Sequence, residues 1–208
     1  MKPFFVFLLI SIVGLKAFSQ NQKLINRYIS FSAGRVLFGT GDVAGFSINI
    51  EGSKNIIKAP KKLLSRLLVG AEFSFENGVK NPVIENPTDQ EFIRISFQQI
   101  SNSILTGKIS YFPFNSLFNG FNISLGASAG YSFHSFEKSA RRFNISPTES
   151  ERQSTLTFDN RFIIGYRIST GYDFKLSPHI FSRIRLDFAN YTNGDINTLA
   201  GAGIGYIF

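Results

Sequence analysis

Over residues 121–134 apolar and polar side chains alternate without a break. Phe121, Ile123, Leu125, Ala127, Ala129, Tyr131 and Phe133 hold one parity, and Asn122, Ser124, Gly126, Ser128, Gly130, Ser132 and His134 hold the other. Successive side chains of a β-strand point to opposite faces, so a period of two predicts a strand with one apolar and one polar face. The pattern recurs over 155–176, where Phe158, Phe162, Ile164, Tyr166, Ile168, Tyr172 and Phe174 oppose Asp159, Arg161, Gly165, Arg167, Ser169, Asp173 and Lys175. Further versions cover 27–38, 46–51, 67–76, 180–188 and the long stretch 91–112. The last stretch, 200–208, sets Ala200, Ala202, Ile204, Tyr206 and Phe208 against Gly201, Gly203 and Gly205. Turn residues separate these runs: Gly and Asp over 39–45, Pro60 in a lysine-rich 52–66, Pro113, Pro178, and Asn193-Gly194-Asp195. Longer polar connections are predicted over 77–90 and 137–154.

The apolar face is too rich in Phe and Tyr to fit the lumen of a small soluble barrel, whereas lipid accommodates it. Eight strands of about 10 residues reach across a bilayer when tilted, and closing the sheet removes the unpaired edges that lipid penalises. The chain is therefore predicted to be all-β, an eight-stranded antiparallel transmembrane up-and-down β-barrel. One position resists the pattern. Arg35 falls on the apolar parity of the first strand, and a bulge at Gly34 or the membrane edge would resolve it. Aromatic residues collect near both strand ends, as two interfacial girdles require.

Composition adds compartment. The 208 residues are 43% hydrophobic and 17% charged, with 24 Phe and no Cys. After Lys2, the apolar run from Phe4 to Leu15 is too short for a membrane helix, and Ala17-Phe18-Ser19 offers small residues at a cleavage site. This predicts a signal peptide over 1–19 and a single barrel domain over 20–208. Without Cys there are no disulfides, thiolate nucleophiles or Cys-held metals, and a lipid-anchored Cys after the cleavage site is excluded. The net charge of +8 would suit nucleic acid, but an exported chain meets membrane lipids and lipopolysaccharide phosphates first, so nucleic acid is set aside.

Residues 201–208 resemble the C-terminal assembly signal of bacterial outer-membrane barrels, with Gly203, Tyr206 and Phe208 at its small, aromatic and terminal aromatic positions. The remainder is similar to the small eight-stranded barrels of OmpX type and to the membrane domain of OmpA, without the periplasmic domain of the latter. The resemblance implies integral outer-membrane location and passage through the barrel-assembly machinery. It also implies periplasmic turns at 52–66, 113–120 and 177–179, and outward connections at 77–90 and 137–154.

The inward parity gathers Glu51, Glu72, Asp159, Asp173 and Asp187 with Lys108, Arg161, Arg167, Lys175, Arg183 and Arg185. Signs nearly balance, which predicts a hydrogen-bonded charge network filling the lumen, with a narrow passive pore as the alternative. Support for catalysis is thin. His134-Ser135 invites comparison with barrels that deacylate lipid A, yet neighbours in a strand face opposite ways and cannot share a proton. The sequence has no His-Glu-x-x-His motif and no glycine-rich phosphate loop, so no catalytic residue, metal or cofactor is expected. The connection 137–154 carries Lys138, Arg141, Arg142 and Arg152 among Glu137, Glu149 and Glu151, and the fourth and sixth strands look long enough to project. It is the candidate contact for an extracellular partner. The reading is a structural or surface-interaction barrel that is not an enzyme; a lipid A-modifying enzyme is the alternative from a different class.

Overall fold

The computed structural model describes residues 27–39, 43–55, 66–80, 97–113, 118–144, 150–192, 194 and 196–208, with side chains omitted at 138–144 and 150–154. The predicted signal peptide, the lysines at 58, 61 and 62, the start of the predicted fourth strand at 91–96, and Asn193 and Asp195 of the predicted tight turn lie outside the described residues.

Eight strands form one closed antiparallel barrel in sequence order. They are β1 Arg27–Phe38, β2 Val43–Asn55, β3 Leu67–Lys80, β4 Gln98–Tyr111, β5 Gly120–Asn144, β6 Ser150–Lys175, β7 Ile180–Tyr191 and β8 Ile196–Ile207. β1 closes the ring against β8, from Tyr28 opposite Ile207 to Leu37 opposite Thr198. The end where β1 begins and β8 finishes is called the lower rim below. A row of paired residues leaves Phe162 and passes through Tyr131, Ser103, Phe75, Ile48, Ala33, Ala202 and Ile184. It returns to β6 at Tyr172, ten residues from its start. That stagger is what strands tilted by about 35–45° produce when a sheet closes.

The exterior is the apolar parity of the sequence. Leu105, Leu125, Phe162, Ile164, Ile184, Leu186 and Ile204 are each more than half exposed. A soluble surface seldom shows such a continuous apolar band, and a bilayer requires one. Arg35 lies on this outer face, opposite Phe46 and Ala200, in an unbroken ladder with no bulge at Gly34. It is three residues from the upper end of β1, close enough for its long side chain to reach the interface.

The interior is capped by apolar side chains that the alternation does not reveal. At the lower rim Tyr28, Leu68, Phe112, Phe118, Phe181 and Ile207 form a plug. Phe118 enters from the β4–β5 turn with φ of 63°, and its ring meets Tyr28 at 5.1 Å and Phe181 at 5.0 Å. A left-handed conformation at a bulky residue is strained by about 1–2 kcal/mol, which packing against three aromatic neighbours offsets. In the upper half Val36, Phe38, Val43, Ile100 and Leu199 line one wall, and Ile104, Ile163, Ala189 and Tyr191 another.

Two strands run far beyond their neighbours. The β4–β5 ladder stops at Gln98 opposite Phe136, and the β6–β7 ladder stops at Tyr191 opposite Gly165. β5 and β6 stay paired to Asn144 opposite Ser150, with one irregularity between Glu137 and Ser139. This corrects one expectation: the connection 137–154 is mostly paired strand, so β5 projects with β6, while the predicted upper part of the fourth strand lies outside the described residues.

Candidate functional site

The polar parity converges between the apolar layers. Among the described residues nine charged side chains are buried there, five carboxylates (Glu51, Glu72, Glu76, Asp173 and Asp187) against four cations (Lys108, Arg167, Arg183 and Arg185), none more than 6% exposed. They come from β2, β3, β4, β6 and β7, so only a closed ring brings them together.

Near the lower rim, Arg183 holds Asp173 with two nitrogens, at 2.6 and 2.8 Å, and reaches Glu51 with a third at 2.9 Å. Its guanidinium lies 5.2 Å from the Tyr28 ring and 5.3 Å from that of Phe181. The Tyr28 hydroxyl donates to Glu51, and Asn122 donates to Asp173 at 3.1 Å. Lys108 joins this group to the next by bridging Glu51 at 2.8 Å and Glu72 at 3.0 Å.

Glu72 is the hub. Besides Lys108 it accepts two bonds from Arg185, at 2.9 and 3.0 Å, and one from Arg167 at 2.8 Å. Arg185 also forks onto Asp187 at 3.0 and 2.5 Å. The paired forks suit the planar, five-donor guanidinium, which satisfies several acceptors at once where water is excluded. Higher up, Arg167 donates to Ser74 at 2.8 Å, to Glu76 at 2.6 Å and to the Tyr191 hydroxyl at 3.1 Å. Glu76 also accepts from Asn102 at 3.2 Å and from Asn197 at 2.9 Å. Hydroxyl pairs Thr106 with Ser128 and Ser110 with Ser124, each at 2.8 Å, line the wall of β4 and β5.

Of the eleven charges assigned to the lumen from sequence, the structure gathers Glu51, Glu72, Lys108, Arg167, Asp173, Arg183, Arg185 and Asp187. Asp159 and Arg161 have the inward parity but sit above the end of the β6–β7 ladder, where they pair with each other in solvent. Lys175 is exposed at the lower rim. Glu76 escapes a sequence reading that ends the third strand at that residue; carrying the Glu72 and Ser74 parity two residues further finds it. Tyr28, Tyr191, Asn102 and Asn197 carry no signal beyond parity.

The β8 positions also fall into place. Tyr206 and Phe208 face outward, their rings edge to face at 5.2 Å. Phe208 N donates to Arg27 O at 2.9 Å, and the Arg27 guanidinium lies 5.4 Å from the Phe208 ring. His179 stacks on Tyr206 at 5.7 Å. Gly203 leaves no room for a side chain, since a Cβ there would approach Phe31 O to 2.5 Å. His134 takes a bond from Gln98 at 2.8 Å, packs on Phe136 and stands opposite Asp159. No group of three His, Cys, Asp or Glu side chains placed to hold a metal ion occurs among the described residues.

No protein-family model and no curated protein matches the chain. A major outer membrane protein from Thermus thermophilus matches its structure with a TM-score of 0.50 and 12% identity, over 89% of this chain and 100% of that one. The outer membrane protein OprG from Pseudomonas aeruginosa gives 0.45 and 12%, over 91% and 98%. Ail, the attachment invasion locus protein of Yersinia pestis, gives 0.45 and 13%, over 88% and 97%. At these identities the likeness is one of fold: the chain has the fold of a small eight-stranded outer-membrane barrel.

Proposed function

We propose that this chain is an integral protein of the bacterial outer membrane, a non-catalytic barrel whose charge-filled lumen makes it a rigid mount for a surface-interaction element, the β5–β6 hairpin. The observation that carries this reading is the continued pairing of β5 and β6 after both lose their outer neighbours. Beyond Gly165 the only bonds from β7 or its following turn to β6 are those between Thr192 and Ile164, so the higher β6 backbone offers an open edge among the described residues. Open strand edges pair readily with extended segments of other proteins. On the same face Leu156 and Phe158 are exposed, with Phe133 packed on Phe158 at 6.1 Å. Outer-membrane lipid and lipopolysaccharide surround the barrel, and the upper rim faces outward.

Replacing 137–156 with Asn-Gly joins the strands near the rim. The expected outcome is a barrel that still shows heat-modifiable migration and has lost adhesion of cells to host-matrix or partner-cell surfaces. Unchanged surface binding by such cells would remove the interaction role, and altered lipid A masses on expressing the intact chain would favour an enzyme instead.

A further inference from the structure

The lumen charges do not cancel. Around Glu51 and Asp173 the cations Arg183 and Lys108 suffice; Lys108 also reaches Glu72, but Glu72, Glu76 and Asp187 otherwise share Arg167 and Arg185, so five carboxylates meet four cations. Among the described residues one negative charge is left over on deeply buried side chains, and such a charge needs a counter-ion. Independently, three buried side-chain atoms of the described residues have no hydrogen-bond partner: Asn102 Oδ1, Asn197 Oδ1 and Arg167 Nε. All three belong to groups that already bond Glu76 through another nitrogen. Both amides turn their nitrogen onto the same Glu76 oxygen, at 3.2 and 2.9 Å, so each orphaned carbonyl belongs to an amide already in contact with that carboxylate.

We propose that the lumen binds one monovalent cation, sodium by charge and hardness, beside Glu76, with the amide oxygens of Asn102 and Asn197 as ligands. Hard cations take neutral carbonyl and carboxylate oxygens, which is the donor set present. A divalent ion would overshoot a surplus of one. A proton on Glu76 would cancel the charge yet leave both amide oxygens unmet, and a lone water would meet the oxygens yet leave the charge. A sodium ion with one water answers both, because Arg167 Nε then donates to that water. The site is distinct from the hairpin and does not depend on its role.

Full-length protein folded in detergent micelles and unfolded with urea tests this, in sodium chloride against N-methyl-D-glucamine chloride at equal ionic strength. An ion bound only by the folded state multiplies the folded-to-unfolded ratio about tenfold for each tenfold rise in sodium above its dissociation constant. The bulky organic cation gives no such rise. Glu76→Gln, which removes the surplus charge, and Asn102→Leu, which removes one ligand, are each expected to flatten the sodium dependence. Equal stability of the unaltered protein in the two salts would overturn the proposal, leaving a water or a proton at the site. A full sodium dependence in either variant would overturn the assignment of ligands, and Asn102→Leu decides alone if Glu76→Gln does not fold.

Discussion

A Cβ added to Gly205 would overlap the Phe181 ring, and that ring is wedged between Tyr28 and Phe118. The space a β8 glycine clears on the lumen side is taken here by an aromatic plug and not by an arginine. Gly205→Ala should therefore destabilise the barrel, and Phe181→Ala should cost about 3–5 kcal/mol by emptying the plug. In the double variant the Gly205→Ala penalty should vanish, a coupling of about 0.5–3 kcal/mol in urea unfolding. Additive single effects would show that the two positions do not press on each other. Single residues are the hardest scale to read from sequence. Parity tells which face a side chain takes but not its height along the barrel, so Asp159, Arg161 and Lys175 fall by parity among the lumen charges although they sit beyond its ends. The caps are hidden for a related reason. Val36, Phe38, Leu68, Phe112 and Phe181 face inward beside outward apolar neighbours, and an apolar pair at a strand end looks the same whichever member points inward.

Strands are more legible. Where one face meets lipid and the other meets charge, alternation is enforced at every residue, and β1, β5, β6 and β8 follow it through the lipid-facing band. Above the rim that enforcement ends. A sheet wetted on both faces has no reason to alternate, so the paired residues 137–144 and 150–154 read as a polar loop although they continue β5 and β6. At the other end of the barrel β8 is tied to both neighbours through its last residues: Ile207 N donates to His179 O at 2.7 Å, and Phe208 N to Arg27 O at 2.9 Å. Deleting Phe208 should remove a closing backbone bond together with an exposed aromatic ring, and with it the proposed assembly signal. The expected result is export without heat-modifiable barrel in the outer membrane, scored on gels of membrane fractions; normal amounts of folded barrel would count against the signal.

For the molecule as a whole, two apolar ends and a paired interior leave little room for water to cross. In planar bilayers the purified protein should give no steady single-channel conductance, and stable openings would mean that plug and network move aside together. The same interior constrains how the molecule comes together. Arg167, Arg183 and Arg185 meet Glu51, Glu72 and Glu76 across 91 to 132 residues of chain, while every strand pairs with its sequence neighbour except at the β1–β8 seam. Hairpins can zip locally, but these arginines and glutamates find each other only when β6 and β7 come round to meet β2 and β3. Arg183 and Arg185 have Asp173 and Asp187 nearby, and Glu72 has Lys108, but an open, half-inserted sheet would bring Arg167 and Glu76 into lipid without each other. The network thus works as a latch on the order of events, making the last step of closure the one at which the inside of the barrel first becomes dry.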